Sequence, residues 1–218
     1  MAESSIKVPL IYLIAADKER EGEMLRALGR RYEFLTFVDT GALLHQVMIK
    51  RPAVIICEDT APPNGGNKFR ERIRVDPDTH TVPIILTGNG SNVPKMNNVI
   101  DRYLLWPFKK SQIIDCISDL INVAAEQQWE ALPTLQKETL KLTVEEYQDV
   151  ATAIENGDPI DYHKASDSCT PLVKAIQDNG HHELLKSVQN HHNYTYVHSL
   201  RVATLLTMFG HGIGMDED

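Results

Sequence analysis

At 218 residues the chain is long enough for one large domain or two small ones, and 42% apolar with 24% charged residues is a globular rather than a disordered composition. A net charge of −8 argues against a nucleic-acid surface, which needs clustered Lys and Arg, so no nucleic-acid partner is expected. No apolar run reaches the roughly 18 residues needed to cross a bilayer, and the opening MAESSIKVPL lacks a signal peptide's apolar core and cleavage site, so no membrane association is expected.

The first half alternates strand and helix. Residues 8–15 are an apolar strand-like run, followed by 19–31 with Met24, Leu25 and Leu28 at helical spacing. Residues 32–38 are aromatic and β-branched and predict a second strand; Leu43, Leu44, Val47 and Met48 mark a second helix. Residues 53–57 are too continuously apolar for a half-exposed strand, and Phe69 and Ile73 mark the helix after them. Residues 82–87 form a fourth strand closed by Gly88 and Gly90. A short helix is expected over 95–100, a fifth strand over 103–106, and a long helix over 111–128 carrying Ile113, Ile114, Ile117, Leu120, Ile121 and Ala124.

After this the strand pattern stops. Thr143-Val144-Glu145-Glu146 reads as a capping box opening a helix with Val144, Tyr147, Val150, Ala151 and Ile154 on one face, stopped by Gly157. Leu172, Val173 and Ile176 mark another helix ending at Asn179-Gly180, Leu184, Leu185 and Val188 a short one, and residues 194–209 a last one ended by Gly210. Leu132 to Thr134, with its proline, reads as the joint between the halves. Cys57, Cys116 and Cys169 lie far apart without metal-ligand spacing, as expected of reduced, mostly buried thiols in a cytoplasmic protein.

A (βα)5 order with continuously apolar strands predicts a parallel sheet covered on both faces, with ligands at the carboxyl ends of the strands. Asp17, Glu58, Asp59 and Thr87 fall at such ends. The stretch Val54-Ile55-Ile56-Cys57-Glu58-Asp59-Thr60-Ala61-Pro62-Pro63-Asn64-Gly65-Gly66 is the richest of them.

That stretch, within residues 7 to about 124, resembles the receiver domain of two-component response regulators, which implies a flavodoxin-like doubly wound fold. In that family the phosphoacceptor Asp is followed by Pro at the fourth and Gly at the eighth position. Pro62 and Gly66 therefore place the acceptor position at Glu58; a register slipped by one would make it Asp59. Thr87 matches the family's hydroxyl residue, Tyr103 its switch aromatic, and Pro107-Phe108 the end of its Lys-Pro-Phe signature. Three positions depart from the pattern. The acidic pair that binds Mg²⁺ is reduced to Ala16-Asp17, the acceptor is Glu58, and the lysine is Trp106. The resemblance leaves Asp17 and Glu58 as a weak Mg²⁺ site, since that ion asks for near-octahedral oxygen ligands. Trp106 supplies no charge for phosphoryl oxygens, and Glu58 sets its carboxylate a methylene too far for in-line transfer. The expectation is a degenerate receiver that is not phosphorylated. Glu58 is either a mimic of the phosphorylated acid, extending charge toward Thr87, or a solvated strand-end carboxylate.

The histidines cluster late: His181, His182, His191, His192, His198 and His211. The segment His192-Asn193-Tyr194-Thr195-Tyr196-Val197-His198-Ser199-Leu200-Arg201-Val202-Ala203 resembles the opening motif of the HD-GYP family of metal-dependent cyclic di-GMP phosphodiesterases. The resemblance implies that His198 ligates a divalent metal such as Fe or Mn in a complete domain. The place of a further acidic ligand is taken by Tyr194. The sequence holds no His-Asp doublet, and one histidine does not make a hydrolytic site, so the chain itself is expected to be inactive.

The expected organisation is a receiver-like domain over 1–124, a helical linker over 125–142, and the first helices of an HD-GYP-like domain over 143–218. This would be either a fragment of a longer enzyme or a receiver with a vestigial helical output. A homodimer through exposed apolar helix faces and a histidine kinase or other signalling protein are the expected partners. The competing reading is a non-enzymatic module acting by contact alone.

Overall fold

The computed structural model describes residues 8–91, 93–189 and 191–215, except the side chain of Tyr194. In chain order the elements are β1 (Leu10–Ile14), α1 (Lys18–Leu28), β2 (Glu33–Thr36), α2 (Thr40–Ile49), β3 (Val54–Glu58), α3 (Gly66–Val75), β4 (Ile84–Gly88), β5 (Asp101–Leu105) and α4 (Lys110–Gln128). Then follow a 3₁₀ turn (Trp129–Ala131), α5 (Thr134–Asn156), α6 (Tyr162–Gln177), α7 (His181–Ser187) and α8 (Tyr194–Gly212). The chain divides into two compact units after Ala124.

In the first unit all five strands pair in parallel in the order β2-β1-β3-β4-β5, the flavodoxin-like winding. Side chains alternate across the sheet as a two-residue period requires. Ile11, Leu13, Val54, Ile56 and Ile85 pack with Met24 and Leu28 of α1 and Ile113, Ile117 and Leu120 of α4. Leu10, Tyr12, Ile14, Ile55, Cys57, Ile84 and Leu86 pack with Leu43 and Val47 of α2 and Phe69 and Ile73 of α3. Burial on both faces is why β1, β3 and β4 read as unbroken apolar runs.

The helix expected over 95–100 does not form; residues 93–97 are irregular and 98–100 a bend and turn. The segment is too short to nucleate a helix alone. Asn98 also competes, its side-chain oxygen accepting from Ile100 N at 3.2 Å and its carbonyl from Asp101 N at 3.1 Å. Arg70 of α3 holds the segment instead, reaching Lys95 O at 3.4 Å and Asp101 Oδ2 at 3.2 Å.

In the second unit the expected capping box at Thr143 is overturned. Thr143 lies inside α5, its hydroxyl donating to Thr139 O at 2.8 Å rather than to the backbone of a helix start. The actual start at Thr134 follows Pro133, whose fixed φ suits the residue before a helix. Gly157 does end α5, with φ 75°. Leu132 and Leu135 pack against a core of Trp129, Leu140, Val144, Leu172, Ile176, Leu184, Val188, Tyr196 and Leu200, so the joint expected at Leu132–Thr134 lies within this unit. The last helix runs past Gly210 to Gly212.

Candidate functional site

The carboxyl edge of the sheet gathers Asp17, Glu58, Thr87 and Trp106. Asp17 caps α1, its Oδ1 accepting from Arg20 N at 2.9 Å. Glu58 ends β3 in register with Thr87 of β4, and both are buried. By the strand alternation Glu58 belongs with Val54 and Ile56 on the α1–α4 face, and Asp59 falls to the other.

Glu58 is 2% exposed, so it is not a solvated strand-end carboxylate. One oxygen accepts from Ala16 N and the other is paired with the Arg20 guanidinium. Arg20 Nε also lies 3.8 Å from Asp17 Oδ2, and its guanidinium carbon sits 5.4 Å from the centre of the Trp106 ring. Trp106 in turn meets Phe108 edge-on with ring centres 4.7 Å apart. Arg20 is thus the hub of the site, and the sequence reading passed it over. Its signal was present: an arginine three residues past a capping aspartate in the first turn of a helix that starts at the sheet's carboxyl edge.

Asp59 faces a different group. Its Oδ2 accepts from the Tyr103 hydroxyl at 3.0 Å, and that hydroxyl also accepts from Gly90 N at 3.2 Å. Burial raises the Tyr103 pKa above its ordinary value; the Gly90 N–H opposes this and the Asp59 carboxylate reinforces it. Gly66 explains its own spacing, because a Cβ there would lie 2.5 Å from Glu58 O.

A divalent ion would find few free oxygens. With Arg20 seated, both Glu58 oxygens and Asp17 Oδ1 are already accepting, and residue 16 offers no carboxylate.

Solved structures similar to this chain include a response regulator from Chloroflexus aurantiacus (24% identity, 52% of this chain and 98% of that one, TM-score 0.44). Another is the receiver domain of a sensor histidine kinase from Pseudomonas aeruginosa, solved with magnesium in its active-site cleft (22%, 51% and 95%, TM-score 0.42). A third is the receiver domain of an HD domain-containing protein from Pseudomonas fluorescens (16%, 57% and 94%, TM-score 0.49). One of these is described as a response regulator and two as receiver domains, and the likeness to each spans about half of this chain. No protein-family model and no curated protein matches the sequence.

In the second unit His198 lies on an exposed part of α8. Among the described residues no three His, Cys, Asp or Glu side chains gather as a metal site. The side chain of Tyr194 and residues 216–218 lie outside the described set. The buried histidine is His191. Its Nε2 is 3.0 Å from Glu126 Oε1, its Nδ1 accepts from Asn193 N at 3.3 Å, and its ring stacks on Trp129.

Proposed function

We propose that this protein is a two-component signalling protein whose receiver-like unit transmits by contact, without phosphorylation at Glu58. The observation that carries this reading is the engagement of both Glu58 oxygens by Ala16 N and Arg20. A carboxylate already committed to an internal cation is a poor nucleophile toward a phosphoryl donor. Trp106 supplies no charge to stabilise the transferred group. A weak Mg²⁺ site at Asp17 and Glu58 fits this reading only with Arg20 displaced. The test is incubation with a small phosphodonor and Mg²⁺ followed by intact mass: an unchanged mass is expected, and an adduct overturns the proposal.

The motif over 192–203 supports a second element. We read the helical unit as HD-GYP-like, linked to cyclic di-GMP hydrolysis in a complete domain where His198 would join other ligands to Fe or Mn. No cyclic di-GMP hydrolysis by this chain is expected on adding either metal, and turnover would overturn that part. A homodimer completes the proposal. Val202, Leu205, Leu206 and Phe209 of α8 are exposed at helical spacing, and a second copy would cover them. Light scattering should give twice the chain mass, reduced to one by Leu206→Glu. A histidine kinase or another signalling protein is the proposed partner of the first unit.

A further inference from the structure

We infer that Arg20 is the resident counter-cation of the Glu58 pocket, and that Ala16, Glu58 and Trp106 form with it one device that holds Glu58 in a single ion-paired state. The inference rests on the receiver-like reading above and assigns the residue that enforces it.

A carboxylate as enclosed as Glu58 stays ionised only if its charge is answered nearby. Here an amide and a guanidinium answer it. Arg20 is aimed from the first turn of α1, where Asp17 fixes its backbone N–H at 2.9 Å and sits 3.8 Å from its Nε. The three apparent losses then make sense together. Residue 16 contributes its backbone N–H to Glu58, and a carboxylate side chain there would add a like charge beside the buried one. Residue 58 as glutamate meets both Ala16 N and Arg20, one with each carboxylate oxygen. Residue 106 presents a neutral aromatic face 5.4 Å from the guanidinium, where a lysine would repel it. A divalent cation therefore enters only by displacing Arg20 from all of these contacts.

Titration of the full chain with Mg²⁺ by calorimetry tests this. Arg20→Gln and Arg20→Met, the second preserving the apolar stem, should bind Mg²⁺ at least about tenfold more tightly than the parent, because a like charge has left the pocket. Adding Glu58→Gln to either should remove the gain. Equal affinity in parent and Arg20 variants overturns the inference. The parent chain carries a test that does not depend on a variant folding. Its urea midpoint should stay fixed as Mg²⁺ rises to millimolar levels, and a midpoint that climbs with Mg²⁺ overturns the inference. A phosphate adduct on the parent chain would sink the contact-only reading; these titrations bear on Arg20 alone.

Discussion

Asp59 and Tyr103 are tied across the carboxyl edge of the sheet by a 3.0 Å hydrogen bond, on the face opposite Glu58. Gly88 lies directly beneath: a Cβ there would collide with both the Asp59 carboxylate and the Tyr103 hydroxyl. Gly88→Ala should therefore break the bond. Burial first, then Asp59, raise the Tyr103 pKa, against the Gly90 N–H. Asp59→Asn should move the tyrosinate transition back toward about 10. The raised pKa stabilises the folded state fully below the ordinary tyrosine pKa. That stability is lost as pH rises through the folded value, so the effect appears only in alkali. Near-ultraviolet absorbance titration, with Tyr103→Phe to isolate the residue, checks both variants; an unmoved transition would count against the tie.

Asp101 anchors the strand that follows the missing helix. It is 2% exposed and paired with Arg74 and with Arg70, the latter at 3.2 Å. Asp101→Ala leaves two largely buried guanidiniums without their acid and should cost about 3–5 kcal/mol, the range for breaking a buried pair from one side. Urea unfolding measures it. A loss below about 1 kcal/mol would mean that both arginines reach solvent instead.

The central strands β1, β3 and β4 were legible because each is buried on both faces, leaving continuous apolar runs such as residues 54–57. The segment over 95–100 misled because Met96 and Ile100 pack against the sheet's two cores without helix, under the hold of Arg70 and Asn98. Thr143 misled because a threonine hydroxyl bonds equally well to its own helix one turn back. The site was legible only by position: Glu58, Asp17, Thr87 and Trp106 were singled out singly. What joins Glu58, Asp17 and Trp106 is the Arg20 side chain, and a long flexible side chain leaves no periodic trace of where its end lands.

The cysteines should separate cleanly by reactivity. Cys57 and Cys116 are buried and Cys169 is exposed. Burial pushes the Cys116 thiol up to about 11 and the Cys57 thiol further still. At pH 8 roughly one Cys116 in a thousand is a thiolate, and the thiolate is the reactive form. A colorimetric thiol reagent should modify Cys169 promptly in the native protein and all three thiols in denaturant. Rapid native labelling of Cys57 would show that β3 opens readily.

The Glu126–His191 pair should be sensitive to shape rather than to charge. His191 Nδ1 accepts from Asn193 N, so the ring proton sits on Nε2 and is donated to Glu126 Oε1 at 3.0 Å. The histidine side chain is 2% exposed while that of Glu126 is 33% exposed, so only the histidine end cannot turn to water. Glu126→Gln keeps an acceptor oxygen and should cost less than about 1 kcal/mol. Glu126→Ala strands the buried Nε2–H and should cost about 1–3 kcal/mol. Because the His191 ring stacks on the fully buried Trp129, with centroids 5.9 Å apart, unfolding can be followed by tryptophan emission. Equal losses in the two variants would place the stabilisation in the carboxylate's charge and overturn the assignment of the proton to Nε2.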